Sequence, residues 1–172
     1  RALPVRGVTT LSEHLTEIHT YHANGGLAAG LTTGWAKADE YIRLQTGRLY
    51  TVTGIPSSGK SEWLDALMLN SVRLHGWRWA VYSPENWPIE AHAQKLAEKW
   101  TGRPMFDNWS IPAMTRAELD KAVDELSPAI QFLTFDERPA NIDELLSRVR
   151  LCIERHGVKG FVLDPYNELE HA

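Results

Sequence analysis

Four runs along the chain are apolar and strand-sized, and the stretches between them carry apolar residues three and four positions apart. The runs are residues 49–53 (Leu49, Tyr50, Val52), 77–83 (Trp77, Trp79, Val81, Tyr82), 130–135 and 160–164. Helical spacing recurs over residues 11–22, 36–43, 60–75, 88–100, 115–127 and 141–156. Start and stop signals agree with it. Thr10-x-x-Glu13, Thr115-x-x-Glu118 and Asn141-x-x-Glu144 have capping-box spacing, and Pro88 suits a first helical position. Asn24-Gly25-Gly26, Gly76, Pro128 and Gly157 read as stops. The run Trp63, Leu64, Leu67, Met68 and Val72 predicts that the helix over 60–75 is buried on much of its surface. The helix over 141–156 predicts one stripe of Ile142, Leu145, Leu146, Val149, Ile153 and His156. Strands alternating with helices predict an α/β fold with a mainly parallel sheet covered on both faces and right-handed crossovers.

Composition narrows the class. The 172 residues suffice for one domain with a sizeable core, and 43% hydrophobic with 23% charged residues is ordinary for a globular protein. A net charge of −4 supplies no overall basic footprint for nucleic acid. Cys152 is the single cysteine, so no internal disulfide forms, which fits a reducing cytosol. No run reads as a membrane span or signal peptide. The chain opens at Arg1 without a Met and stops soon after a motif, which reads as an excised piece of something longer.

The chemistry centres on Gly54-Ile55-Pro56-Ser57-Ser58-Gly59-Lys60-Ser61, which comes after the 49–53 run and opens a helix. This is the phosphate-binding P-loop pattern in its strand–loop–helix setting. Gly54 and Gly59 let the backbone close on a phosphate chain, and the helix N-terminus aims unpaired N–H groups at the anion. Lys60 adds a positive charge for the outer phosphates, and the Ser61 hydroxyl suits Mg²⁺. ATP and Mg²⁺ are the implied ligands.

Two carboxylates stand at predicted strand ends. Glu85, in Pro84-Glu85-Asn86, comes after the 77–83 run, and Asp164 ends the 160–164 run. In open α/β sheets that edge is where ligands bind. An apolar run closing on Asp has the form of a Walker B strand, whose carboxylate holds Mg²⁺ through water. His14, His19 and His22 share a helix with no further ligands to complete a metal set, so solvated side chains are expected.

Together these residues resemble a known family. Gly30-Leu31-Thr32-Thr33-Gly34-Trp35, Asp39-Glu40-Tyr41 and Gly47-Arg48-Leu49-Tyr50, running into the P-loop, resemble the start of the helicase domain of DnaB-like replicative helicases. Within that family they are most similar to the branch of phage primase–helicases and Twinkle-type helicases. Tyr82-Ser83-Pro84-Glu85-Asn86 matches the family's catalytic glutamate position, and Phe161 to Asp164 its Walker B motif.

The resemblance implies a three-layer RecA-like P-loop NTPase core. Residues 1–26 would be a linker helix and connector that docks on a neighbouring subunit, and 27–172 the N-terminal part of the ATPase domain. It implies a homo-hexameric motor moving on single-stranded DNA. Lys60 and Glu85 would be catalytic, residues 54–61 would hold nucleotide, and Ser61 with Asp164 would hold Mg²⁺. A cytoplasmic setting in a bacterial or phage-infected cell is expected. The family's sensor residue, DNA-binding loops and arginine finger come after Walker B and fall outside this sequence. So does a later strand that RecA-like sheets place between the P-loop strand and the Walker B strand. A RecA-fold recombinase or assembly switch is the main alternative. A kinase would need an arginine-rich lid, and a non-catalytic binding module would have no use for Glu85.

Overall fold

The structure, a computed structural model, describes residues 7–26, 29–108, 110–135 and 141–168. The chain divides into two compact units, Arg1–Gly30 and Leu31–Ala172.

The first unit holds a 3-10 turn, Leu11–His14, and helix α1, Leu15–Ala23. The expected capping box does not form. Thr10 Oγ1 donates to the Glu13 carboxylate at 2.9 Å instead of accepting from a backbone N–H. With its first turn uncapped, the segment tightens to 3-10 geometry there. Leu11, Leu15, Ile18 and Tyr21 are all exposed.

The second unit is built on three parallel strands, β1 Trp79–Tyr82, β2 Ile130–Phe132 and β3 Gly160–Leu163, in the order β2-β1-β3. Central β1 is buried throughout, and its alternation divides the core. Trp79 and Val81 join Leu67, Met68, Leu96, Leu126 and Val162 in one apolar cluster. Ala80 and Tyr82 pack the other way, with Phe161, Val149 and Leu145. Helices α2 (Lys60–His75) and α3 (Ile89–Thr101) supply the first layer, and α5 (Ile142–His156) the second. Helix α4, Arg116–Leu126, packs against α3. The result is an α/β core with helices on both faces of a parallel sheet, in agreement with a RecA-like core.

Local chemistry explains the element ends. Gly76 and Gly157 take the left-handed conformation that closes α2 and α5. Thr115 and Glu118 form the full capping box of α4, which holds the Glu118 carboxyl below its usual range. Asn141 caps α5 by accepting from Asp143 N at 2.8 Å, while Glu144 bonds Arg148.

Three further expectations are corrected. The 49–53 run is not a strand. A strand exists only within a ladder, and no described segment pairs with this run, so Leu49 stays 93% exposed. The helix over 36–43 shrinks to a 3-10 turn, Ala38–Glu40, because the Asp39 carboxylate is drawn into bonds with Thr32 and Thr33. The α5 stripe is half right. Leu145 and Val149 are buried, but Leu146 and Ile153 are exposed, since among the described residues α5 covers a sheet of three strands. The expectation for α2, a helix buried on much of its surface, holds: Leu67 and Met68 are buried, and Trp63, Leu64 and Val72 are partly buried against the same cluster.

Candidate functional site

The P-loop forms an exposed turn leading into α2. Gly59 has φ +84° and precedes Lys60, the first helical residue, and Trp63 N donates to Gly59 O at 2.9 Å. Gly54 lets the Ser58 and Lys60 side chains lie close over the backbone. A Cβ there would lie 2.9 Å from Ser58 Oγ and 3.6 Å from the Lys60 stem. Ser57 also adopts positive φ, +59°, and Ser58 N donates to Ile55 O at 3.3 Å. With Pro56 between them, these residues bend the backbone into a tight turn just before α2. Lys60 Nζ is held over this turn, donating to Gly54 O at 3.2 Å and Ile55 O at 3.1 Å.

Ser61 is the residue through which the loop meets the sheet. Its Oγ donates to Asp164 Oδ2 at 2.6 Å. Asp164 comes directly after β3, and its N–H donates to Tyr82 O at 3.0 Å, which continues the β1–β3 ladder one residue further. The carboxylate position is therefore set by sheet register.

Glu85 lies on the same edge. β1 and β3 are parallel and adjacent, with Tyr82 opposite Leu163, so the residues beyond each strand emerge at one end of the sheet. Glu85 sits in a 3-10 turn, Pro84–Asn86, and is exposed. Its carboxylate makes no hydrogen bond or ion pair with the described residues. A cavity of about 280 Å³ lies beside this turn, lined by Tyr82, Asn86, Trp87, His92 and Phe132 among others.

Sequence reasoning missed a set of polar contacts under this edge. Asp65 on α2 is 3% exposed, accepts from His92 Nε2 at 2.8 Å and pairs with Lys99 at 3.2 Å. The signal was present: Asp65 interrupts the apolar face between Leu64 and Leu67. Lys99 also lies 2.6 Å from Glu62, and that contact holds the Glu62 carboxyl below its usual range.

Also missed was how the Thr32-Thr33 segment works. The Asp39 carboxylate accepts from the Thr32 hydroxyl, the Thr33 N–H and the Thr33 hydroxyl, and its pKa falls to about 2. Asn70 Nδ2 and His75 Nε2 donate to the carbonyls of Thr33 and Thr32, docking this loop on α2. Among the described residues no cluster of His, Cys, Asp and Glu large enough to hold a metal by itself exists. The donors that meet are one hydroxyl and one carboxylate.

A curated protein matches over almost the whole chain. The sequence is similar to the Twinkle homolog protein, chloroplastic/mitochondrial, of Arabidopsis thaliana. The two are 37% identical over 174 aligned residues, covering 98% of this chain and 24% of that protein. The chain thus spans about a quarter of the length of that relative. No protein-family model matches, and no solved structure does. The match bears on the Twinkle-type branch of the expected resemblance. It overturns the expected bacterial or phage-infected cytoplasm, since the relative is a chloroplastic/mitochondrial protein of a plant. A lone cysteine rules out an internal disulfide and cannot tell one reducing compartment from another. Among the described residues no helix is long and apolar enough to cross a membrane.

Proposed function

We propose that this chain is the nucleotide-handling part of a replicative DNA helicase of the DnaB-like family, in the branch of the Twinkle-type proteins. The Ser61–Asp164 contact carries the nucleotide half of this reading, because it joins a P-loop hydroxyl to a strand-end carboxylate at the mouth of a helix N-terminus. The helicase half rests on the similarity to the Twinkle homolog protein.

ATP would lie with its phosphates against the backbone N–H groups of residues 54–61 and the N-terminus of α2. Lys60 would exchange its loop carbonyls for β- and γ-phosphate oxygens. Ser61 and Asp164 offer two hard oxygen donors at one point, a set that fits Mg²⁺, which keeps several waters and phosphate oxygens as its other ligands. When bound, Mg²⁺ would neutralise charge on the transferring phosphoryl group. Glu85, on the same sheet edge, would accept a proton from the attacking water and align it. Most of the acceleration in such chemistry is positioning and charge stabilisation.

Residues 1–26 would serve as a linker helix and connector. The exposed Leu11, Leu15, Ile18 and Tyr21 support a role against a neighbouring subunit of a hexameric ring. Single-stranded DNA would be the track, gripped mostly by regions outside this sequence.

The test is ATP hydrolysis by the longest natural form of the chain, with and without single-stranded DNA. Stimulation by DNA that is lost in Glu85→Gln supports the motor. Turnover indifferent to DNA points to an assembly switch, and turnover unchanged in Glu85→Gln removes Glu85 from the mechanism.

A further inference from the structure

Helix α3 presents two lysines one turn apart, Lys95 and Lys99, toward the carboxylates of α2. Lys99 and His92 have a structural explanation, since they satisfy the buried Asp65. Lys95 does not. Its side chain is 42% exposed, and its contact with Glu62 is long, 3.5 Å, so as an ion pair it adds little stability. Its short contact is elsewhere: Lys95 Nζ donates to Asn86 Oδ1 at 2.8 Å.

Asn86 is the residue after Glu85. Its Nδ2 donates to Ser83 Oγ at 2.8 Å, and its backbone N–H donates to Ser83 O at 3.1 Å. The Asn86 amide therefore straps the turn that carries Glu85. An amide can sit either way round, but an ammonium only donates. With Lys95 in place, Oδ1 must face α3, which turns Nδ2 toward Ser83. The other oxygen-bearing partner of Lys95, Glu62, is the residue after Ser61 on α2. The chain of contacts Glu62–Lys95–Asn86–Ser83 thus runs from the phosphate end of α2 to the turn of a carboxylate that has no described partner of its own.

We infer that Lys95, acting through Asn86, is the positioning residue that aims Glu85 at the water attacking the outermost phosphate. This rests on the role of Glu85 given above. Lys95 touches no substrate. It fixes the orientation of the Asn86 amide and with it the pitch of the Pro84–Asn86 turn.

The experiment uses the longest natural form of the chain. ATP turnover, affinity for a fluorescent ATP analogue and melting temperature are measured for Lys95→Met, Lys95→Arg, Asn86→Leu and Glu85→Gln. Lys95→Met and Asn86→Leu should each lower kcat about tenfold to a hundredfold, the scale of a catalytic group displaced by an ångström or less. Analogue affinity and melting temperature should stay near the parent's. Lys95→Arg, which still donates to Asn86, should recover most of the rate. In single turnover, Lys95→Met added to Glu85→Gln should cause no further loss. Parent-like kcat in Lys95→Met, or an equal loss with and without Glu85, overturns the inference while leaving Glu85 in place if Glu85→Gln is inactive. Should Lys95→Met fail to fold, parent-like kcat in Asn86→Leu overturns it. Full turnover in Glu85→Gln instead removes the reading on which the inference depends.

Discussion

Ser61 and Asp164 stand 103 positions apart in sequence, and their side chains meet at 2.6 Å. The hydroxyl sits in the first turn of α2 and the carboxylate one residue beyond β3, so the bond ties the P-loop to the sheet. A loop that is otherwise exposed thereby gains a fixed point on the core.

If these two oxygens share Mg²⁺, Ser61→Ala and Asp164→Asn should each reduce Mg²⁺-dependent ATP turnover by about a hundredfold or more. The double variant should lose much less than the product of the two, because both act on one ion. Turnover measured against Mg²⁺ concentration checks this. Strictly multiplicative losses would assign the residues to separate tasks.

Among the described residues, Lys60 Nζ bonds only to carbonyls of its own loop. Lys60→Ala should therefore weaken binding of an ATP analogue by at least about tenfold, the worth of one charged hydrogen bond, with little change in melting temperature. Unchanged affinity would remove phosphate binding from this loop.

Gly160 tests the sheet. A Cβ there would lie 2.3 Å from the Trp79 ring across the β1–β3 ladder. Trp79 is buried, with its Nε1 bonded to Ser71 Oγ at 2.7 Å, so it cannot swing away freely. Gly160→Ala should cost about 1–3 kcal/mol in urea denaturation. A neutral result would contradict the register.

Asp39 gives a pH signature. Its folded pKa is depressed to about 2 from the ordinary 3.8 by the Thr32 hydroxyl and by the N–H and hydroxyl of Thr33. A depressed carboxyl contributes stability above its unfolded pKa and loses it as pH falls through the folded value. The melting-temperature gap between the parent and Asp39→Asn should thus be widest above about pH 4 and close toward about pH 2. A gap that stays constant across that window would mean that the carboxylate charge is not what holds the Thr32-Thr33 loop.

Local pattern makes much of this legible. Gly59-Lys60-Ser61 announces the start of α2, Thr115 and Glu118 the start of α4, and Gly157 the end of α5, because caps and left-handed glycines act within a few residues. Glu85 and Asp164 stand out as strand-end carboxylates for the same reason. Pattern does not supply pairing. Residues 49–53 alternate like a strand and pair with no described segment, since a ladder needs a neighbour that no local signal specifies. Asp39 reads as a helix residue, yet Thr32 and Thr33 claim its carboxylate.

The P-loop, the candidate acids and the alternation of strands and helices depend on residue type and short-range spacing, so the order of amino acids is enough to reveal them. Three contacts needed the folded chain: Ser61 with Asp164, Asp65 buried between His92 and Lys99, and Lys95 reaching the Glu85 turn through Asn86. The first two join elements tens of residues apart, and the third crosses from α3 to the turn after β1. Their geometry depends on how α2 and α3 pack on β1 and how β1 registers with β3, and packing and register belong to the folded chain as a whole.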